Sequence, residues 1–316
     1  MARNVKISSV GKQPPPFPLG EKIDNETLVQ EMIRFWQGQI NIVLPDKPDL
    51  IILPENCDRY FNTPKEALLP YRKTLKRRML DAMRQIARDN NCYLVHSSCF
   101  EEPDGTWRNA AAMINRSGEV IGQYNKNHTV VREITNGILC GKAPFVAECD
   151  FGTVGFAICF DLNFDELRLQ YKELHPDLIV FPSAYHGGLM EAFWAYSCRA
   201  HFVGCTVSER VPSEFYSPVG HRLASSTNYY PLITHTINLD CVVAHIGYNR
   251  EKFVDLKNRY GPDVAIFDPG LLGCVLISSE SKTVNARQMI AEFDIELIDD
   301  YFERSLAHHH DPANRE

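Results

Sequence analysis

The chain has no C-x-x-C spacing among its ten cysteines, no apolar run near the length of a membrane span, and no excess of basic residues. Each absence removes a class of protein. Thiols scattered through strand-like and helix-like stretches, without paired spacing and without a leader pattern at the start, read as reduced cysteines of a cytoplasmic protein rather than as zinc ligands or disulfides. The longest apolar runs are strand-sized, well short of the roughly twenty residues that cross a bilayer, so no membrane partner is expected. A formal charge of -7 at pH 7 disfavours nucleic acid, because phosphate binding draws on clustered Lys and Arg. One basic cluster exists, Lys73, Lys76, Arg77, Arg78, Arg84 and Arg88, but Leu75, Met79, Met83 and Ile86 recur between its members at helical spacing. It reads as the wet face of an amphipathic helix over residues 65–90. The G-x-S-x-G of serine hydrolases is missing, and Gly137-Ile138-Leu139-Cys140-Gly141-Lys142-Ala143 departs from a phosphate-binding loop in spacing and in its lack of Ser or Thr.

What is present is an ordinary globular composition, 44% hydrophobic over 316 residues, ample for one large α/β domain. Leu28, Met32, Phe35, Trp36, Ile40 and Val43 repeat every three to four residues and predict a helix over 25–43. Pro48-Asp49-Leu50-Ile51-Ile52-Leu53-Pro54 is a continuous apolar run between turn residues, the pattern of a strand buried on both faces. Pro176-Asp177-Leu178-Ile179-Val180-Phe181-Pro182 repeats it. Two related halves follow from that echo, each a sheet with helices on its outer side, packed sheet to sheet as an α-β-β-α sandwich with one site between strand ends. Further strands are expected over 234–238, 242–248, 274–277 and 289–295. The polar stretch from 297 to 316, with its His308-His309-His310, reads as a surface extension beyond a single domain spanning 1–296.

Three reactive side chains stand directly after strand-like runs: Glu55, Lys126 and Cys159. The strand ends of an α/β sheet gather at one rim. A thiol with a pKa near 8.5 is mostly protonated at neutral pH and needs a base within reach, which Glu55 supplies. Attack on a carbonyl creates an oxyanion, which the Lys126 ammonium and the Phe160 N–H are placed to stabilise.

At these residues the sequence resembles the carbon-nitrogen hydrolase family, the nitrilase superfamily, on motifs spread over most of the chain. Leu53-Pro54-Glu55 is similar to the family's base motif, and Tyr124-x-Lys126-x-His128 with Glu133 to its lysine motif and second glutamate. Gly155-Phe156-Ala157-Ile158-Cys159-Phe160-Asp161 with Glu166 and Arg168 resembles its nucleophile elbow. Phe181-Pro182-Ser183-Ala184, Trp194, Arg199-Ala200 and Pro218-x-Gly220 follow in the family's order. Two departures are Arg199-Ala200-His201-Phe202, where members often continue Arg-Ala-Glu-Asn, and Ser208-Glu209, where Asn is common.

The resemblance implies an α-β-β-α fold, a Glu55-Lys126-Cys159 triad with Glu133 holding Lys126, no cofactor and no metal. It also implies a homodimer or larger homo-oligomer, formed through the helices after Cys159 and around Trp194 and the C-terminal tail 297–316. Tyr60, His128, His186 and Trp194 are the candidate lining of the substrate pocket. Cys159-Phe160-Asp161 is similar to the amidase-type branches, so a small linear amide is the expected substrate and an N-carbamoyl amino acid the second. The latter needs a cation for its carboxylate; Leu162-Asn163 occupy the region where an Arg often stands, leaving Arg132, Arg199 or Arg210 to substitute. A third reading is a member that binds a ligand or partner protein without turnover.

Overall fold

The computed structural model describes residues 1–20, 23–207 and 210–315. It resolves into two compact units, Val5–Thr236 and a smaller one of Met1–Asn4 with Ile237–Glu316. The boundary expected at 296/297 falls within the smaller unit.

Apolar runs too short for helices and too continuous for a solvated face become the parallel strands of the larger unit. In its first half β1 (Asn4–Val10), helix α1 (Asn25–Val43), β2 (Leu50–Ile52), α2 (Lys65–Leu75), α3 (Arg78–Asp89), β3 (Tyr93–Glu101), β4 (Trp107–Ile114) and β5 (Val120–Asn125) follow in order. The short helix α4 (Val131–Thr135) leads into the second half, β6 (Val146–Cys149), β7 (Gly152–Phe156), α5 (Asp165–Leu174), β8 (Leu178–Ser183), α6 (Leu189–Cys198), β9 (His201–Thr206), β10 (Glu214–Tyr216) and β11 (Arg222–Ser225). Strand β12 (Leu232–Asn238) returns to the first sheet.

The sheets have the orders β12-β1-β2-β3-β4-β5 and β11-β10-β9-β8-β7-β6. In the first, β2 pairs parallel with β1 and β3, with Leu50 opposite Ile7 and Tyr93. In the second, β8 pairs parallel with β7 and β9, with Leu178 opposite Val154 and His201. An antiparallel hairpin extends each triplet, β4 and β5 in one sheet, β10 and β11 in the other. The two Pro-Asp-Leu-Ile segments thus occupy equivalent central strands, and the halves are quasi-symmetric.

Helices α1 to α3 cover the outer face of the first sheet, burying Met32, Trp36, Ile40, Tyr71 and Met83 against Leu94, Ala110 and Ala112. Between the sheets the backbones approach closely: the Ser9 hydroxyl donates to the Gly204 carbonyl at 3.0 Å and the Cys205 thiol to that of Ile52 at 3.2 Å. The layers are helix, sheet, sheet, helix, as expected from the sequence. The single basic helix expected over 65–90 is instead broken at Lys76, whose left-handed φ of 49° ends α2 so that α3 restarts the apolar stripe with Met79, Leu80 and Met83.

In the smaller unit β13 (Cys241–His245), β14 (Val264–Phe267) and β15 (Cys274–Ser279) form an antiparallel sheet of order β13-β15-β14, accompanied by helices α7 (Arg250–Tyr260), α8 (Ala286–Glu292) and α9 (Ile298–His310). The strand expected over 289–295 is replaced by α8. Asn285 caps that helix by accepting from the Gln288 N–H at 2.8 Å, and Ala286, Met289 and Ile290 bury one face at helical rather than alternating spacing. The tail expected as an extension forms α9, whose Tyr301 ring stacks on His245 at 3.9 Å. Among the described residues no helix is long and apolar enough to cross a membrane.

Trp36 is fully buried, and its indole N–H donates to the Cys57 carbonyl at 2.6 Å, two residues past Glu55. Trp36→Ala is expected to cost about 3–5 kcal/mol, read as a lowered midpoint in urea unfolding, with Trp36→Phe losing much less.

Candidate active site

Glu55 sits three residues beyond β2 on a clamped loop. The Leu53 N–H donates to the Val95 carbonyl at 3.0 Å, the Cys57 N–H to that of Ser97 at 3.1 Å, and the Ser98 hydroxyl to the Asp58 carboxylate at 2.5 Å. Between those anchors Asn56 takes a left-handed φ of 49°, which Asn tolerates better than most residues. The buried Glu55 carboxylate then accepts three bonds: from Lys126 Nζ at 2.8 Å and Asn109 Nδ2 at 2.7 Å on Oε1, and from the Ala184 N–H at 3.1 Å on Oε2.

Lys126 follows β5 directly, and its own N–H donates to the Asn109 carbonyl at 2.9 Å. Its ammonium, nearly inaccessible to solvent, lies between Glu55 and Glu133, with Glu133 Oε2 at 3.0 Å. Burial opposes the charge, but the attraction of Glu55 and Glu133 outweighs it, and Lys126 is held above its ordinary value. Glu133 is fixed in turn by the Val130 N–H at 3.0 Å and by Asn109 Nδ2 at 2.7 Å. One Asn side chain therefore bridges both carboxylates that flank the lysine.

Cys159 opens the turn after β7 with a φ of 48°. A left-handed non-glycine residue costs roughly 1–2 kcal/mol, and Asp161 supplies the restraint. Its fully buried carboxylate accepts from the Ile158 N–H at 2.9 Å and the Tyr124 hydroxyl at 2.7 Å on one oxygen, and from the His128 N–H at 2.8 Å on the other. The residue before Cys159 is thereby tied to the segment that carries Lys126. Trp194 braces the turn from the helical side, donating to the Leu162 carbonyl at 3.1 Å. Burial pushes the Cys159 thiol up and the Glu55 charge adds to it, while Lys126, the Ser183 hydroxyl and the Ala184 N–H pull the other way; the outcome is about 12. The resting sulfur is a thiol within electrostatic reach of both Glu55 and Lys126.

The structure thus gathers Glu55, Lys126, Glu133 and Cys159, and treats the other candidates differently. Phe160 is over a third exposed and packs edge-on to Phe164 at 5.2 Å. Tyr60 is buried under α1, its hydroxyl donating to the Leu28 carbonyl at 2.9 Å. Trp194 is fully buried behind the Cys159 turn. Neither presents a free polar group to a substrate. His128 stacks on Phe164 at 3.9 Å with its ring nitrogens 3.1 Å from Asp161 and 2.8 Å from Glu166. The Asp161 bond raises its pKa, burial opposes, and Glu166 adds to the rise. His186 belongs to a second network: Nε2 donates to Glu214 at 3.0 Å, Nδ1 accepts from the Gly188 N–H at 2.8 Å, and Glu191 stands nearby. His186, Glu191 and Glu214 offer ligand-type atoms within 4.8 Å of one another, but Glu214 already accepts from Arg222 at 2.6 Å and from the Tyr216 hydroxyl. Arg199 ends α6 with its guanidinium 4.3 Å from the Tyr196 ring centroid, and His201 begins β9. The Ser208-Glu209 departure lies outside the described residues.

Reading the sequence missed Asn109 altogether and gave Asp161 no role. The available signals were an amide beside the apolar run Ala110-Ala111-Ala112, where no turn requires one, and a carboxylate two residues past the thiol.

Comparison with known proteins places the chain in a family. A carbon-nitrogen hydrolase family model matches residues 8–221, and the chain belongs to that family. It is 29% identical over 170 residues to deaminated glutathione amidase of Rattus norvegicus, covering 49% of this chain and 51% of that protein. It is 27% identical over 163 residues to omega-amidase NIT2 of Pongo abelii, covering 49% and 58%. The chain spans about half the length of the curated relatives it matches. A solved amidase from Nesterenkonia sp. shares its fold, with a TM-score of 0.64 and 16% identity over 81% of this chain and 96% of that one. A mutant of that amidase, with a TM-score of 0.58 and 17% identity over 81% and 96%, carries the acetamide moiety of fluoroacetamide on its active-site cysteine.

Glu55 raises the Cys159 pKa and Lys126 lowers it. Removing the carboxylate charge in Glu55→Gln is therefore expected to move the alkylation of Cys159 to lower pH. Iodoacetamide labelling followed by peptide mapping reads the midpoint, and an unchanged or higher midpoint contradicts the assigned electrostatics.

Proposed function

We propose that the protein hydrolyses the C–N bond of a small linear amide through a thioester on Cys159. The observation that carries this reading is the buried cluster in which Lys126 Nζ lies 2.8 Å from Glu55 and 3.0 Å from Glu133, with the Cys159 thiol under the influence of both the base and the cation. The amidase names of the relatives and the cysteine adduct of the Nesterenkonia amidase support it.

In this mechanism Glu55 takes the thiol proton as sulfur attacks the amide carbon, so the high thiol pKa is overcome only as the new bond forms. The C=O electron pair moves onto oxygen, where the Lys126 ammonium and the Phe160 N–H meet the developing charge. Collapse breaks the C–N bond. Glu55 returns its proton to the departing nitrogen, which leaves as ammonia or an amine. Water, deprotonated by the same carboxylate, attacks the thioester and releases the acid and the thiol. Glu133 keeps Lys126 charged and aligned throughout, and Asn109 keeps the two carboxylates apart. An N-carbamoyl amino acid fits the same sequence of bonds and stands second.

Ammonia release from a panel of linear amides, N-carbamoyl amino acids and nitriles tests the reading. Turnover is expected with one of the first two classes and is expected to be lost in Cys159→Ala. No release from any class, or release that survives in Cys159→Ala, would overturn it.

The helices α5 and α6 expose Leu169, Leu189 and Phe193, which supports self-association through this face as a homodimer or larger assembly. Light scattering is expected to give at least a dimer, weakened by Leu189→Glu with Phe193→Glu; a monomer at micromolar concentration contradicts it.

A further inference from the structure

The segment 184–188, between β8 and α6, passes beside the proposed base. The Ala184 N–H donates to Glu55 Oε2 at 3.1 Å and also acts on the Cys159 thiol, holding its pKa down. Lys126 and Asn109 both occupy Oε1. Oε2 is therefore the oxygen with room for the thiol proton, and the Ala184 N–H aims it. Little in the backbone holds this segment in place. Among the described residues Ala184, Tyr185 and His186 make no backbone-to-backbone hydrogen bond, and Tyr185 is exposed. Only the Ser183 hydroxyl, bonded to both polar groups of the Tyr185 backbone, steadies its start.

The anchor comes directly after Tyr185. His186 Nδ1 accepts from the Gly188 N–H at 2.8 Å. A backbone donor cannot reverse that bond, so the ring proton sits on Nε2 and donates to Glu214 Oε2 at 3.0 Å. Glu214 is a firm partner. Burial works against its charge, but bonds from the Tyr216 hydroxyl and from Arg222 outweigh it and hold the carboxyl below its ordinary value. The next residue, Gly187, donates to Glu191 Oε1 at 2.7 Å. A side chain would not fit there, since a Cβ on Gly187 would stand 2.7 Å from Glu191 Cγ. Burial lifts Glu191 to about 8 against the Gly187 bond, and the Glu214 charge adds to the rise. One carboxyl of the pair is thus charged and the other carries a proton. A metal ion is ill matched to this set, because Nε2 and Glu191 both hold protons that it would have to displace. What the set does is tie the segment to β10 and α6.

We propose that His186, held by Glu214, is a positioning residue of the active site, fixing the segment 184–188 so that the Ala184 N–H stays on Glu55 Oε2 beside the Cys159 thiol. Among the described residues the His186 ring makes no bond to Glu55, Lys126 or Cys159. Its influence passes through the backbone of the segment.

His186→Ala, His186→Phe and His186→Gln test this, read first as the rate of Cys159 alkylation by iodoacetamide at one fixed pH below the thiol's midpoint. Losing the Ala184 N–H raises the thiol pKa and thins the thiolate. Alkylation is expected to slow about 10-fold, the size of one hydrogen bond to a charged group, in His186→Ala and equally in His186→Phe, which keeps a ring but neither bond. His186→Gln, whose amide can still donate toward Glu214, is expected to recover part of the rate. Unchanged or faster alkylation in both the Ala and Phe variants, or a Gln variant no better than Ala, overturns the inference. With an amide that the enzyme accepts, kcat is expected to fall about 10- to 100-fold in His186→Ala while KM stays within about threefold. An unchanged kcat, or a rise in KM alone, overturns it too, the latter making His186 a substrate contact. The kcat comparison rests on the amidase reading above and the alkylation does not, so failure of that reading is told apart from failure of this one.

Discussion

The arrangement depends on one ammonium held between two carboxylates away from water. Taking Lys126 out of solvent costs several kcal/mol by itself, and Glu55 and Glu133 at 2.8 and 3.0 Å offset that cost. Neither carboxylate is free to drift. Asn109 donates to both, and backbone N–H groups of Ala184 and Val130 fix the remaining oxygens. A lysine bonded on both sides to anchored carboxylates is held rigidly, and in the proposed reaction a rigid charge stabilises a developing oxyanion without reorganising.

The fold provides the positions and Asp161 connects them. Glu55 comes from a loop after a strand of one sheet, Cys159 from a turn after a strand of the other, so any slip between sheets would separate the two side chains. The Asp161 carboxylate bonds to the Ile158 N–H beside Cys159 and to Tyr124 and His128 on either side of Lys126. It therefore bridges the two sheets at the point where registration matters. The left-handed backbone of Cys159 is sustained by the same bonds, and strain held by surrounding structure in this way clusters at functional sites.

Much of this was legible in residue patterns. The paired Pro-Asp-Leu-Ile segments marked the central strand of each half because burial on both faces leaves a continuous apolar run, and the reactive residues stood where those runs stop. Less legible was whatever depends on which way a side chain turns after the chain has folded. Tyr60 and Trp194 carry polar handles suited to a pocket, yet both spend them on backbone carbonyls in helix packing. Asn109 offered nothing beyond an amide next to Ala110-Ala111-Ala112, and only the folded chain turns its side chain onto both carboxylates of the charge cluster. The segment 289–295 failed for another reason: seven residues are too few to separate helical from alternating periodicity unless the cap at Asn285 is weighed as well.

The proposed role of the cluster is to drive acylation of one thiol. Rapid quenching of a single turnover with an accepted amide, followed by peptide mapping by mass, tests it most directly. A thioester on Cys159 that appears together with one equivalent of ammonia or amine and then decays is the predicted result. Product formation with no adduct at any time, or an adduct on another of the cysteines, would contradict it.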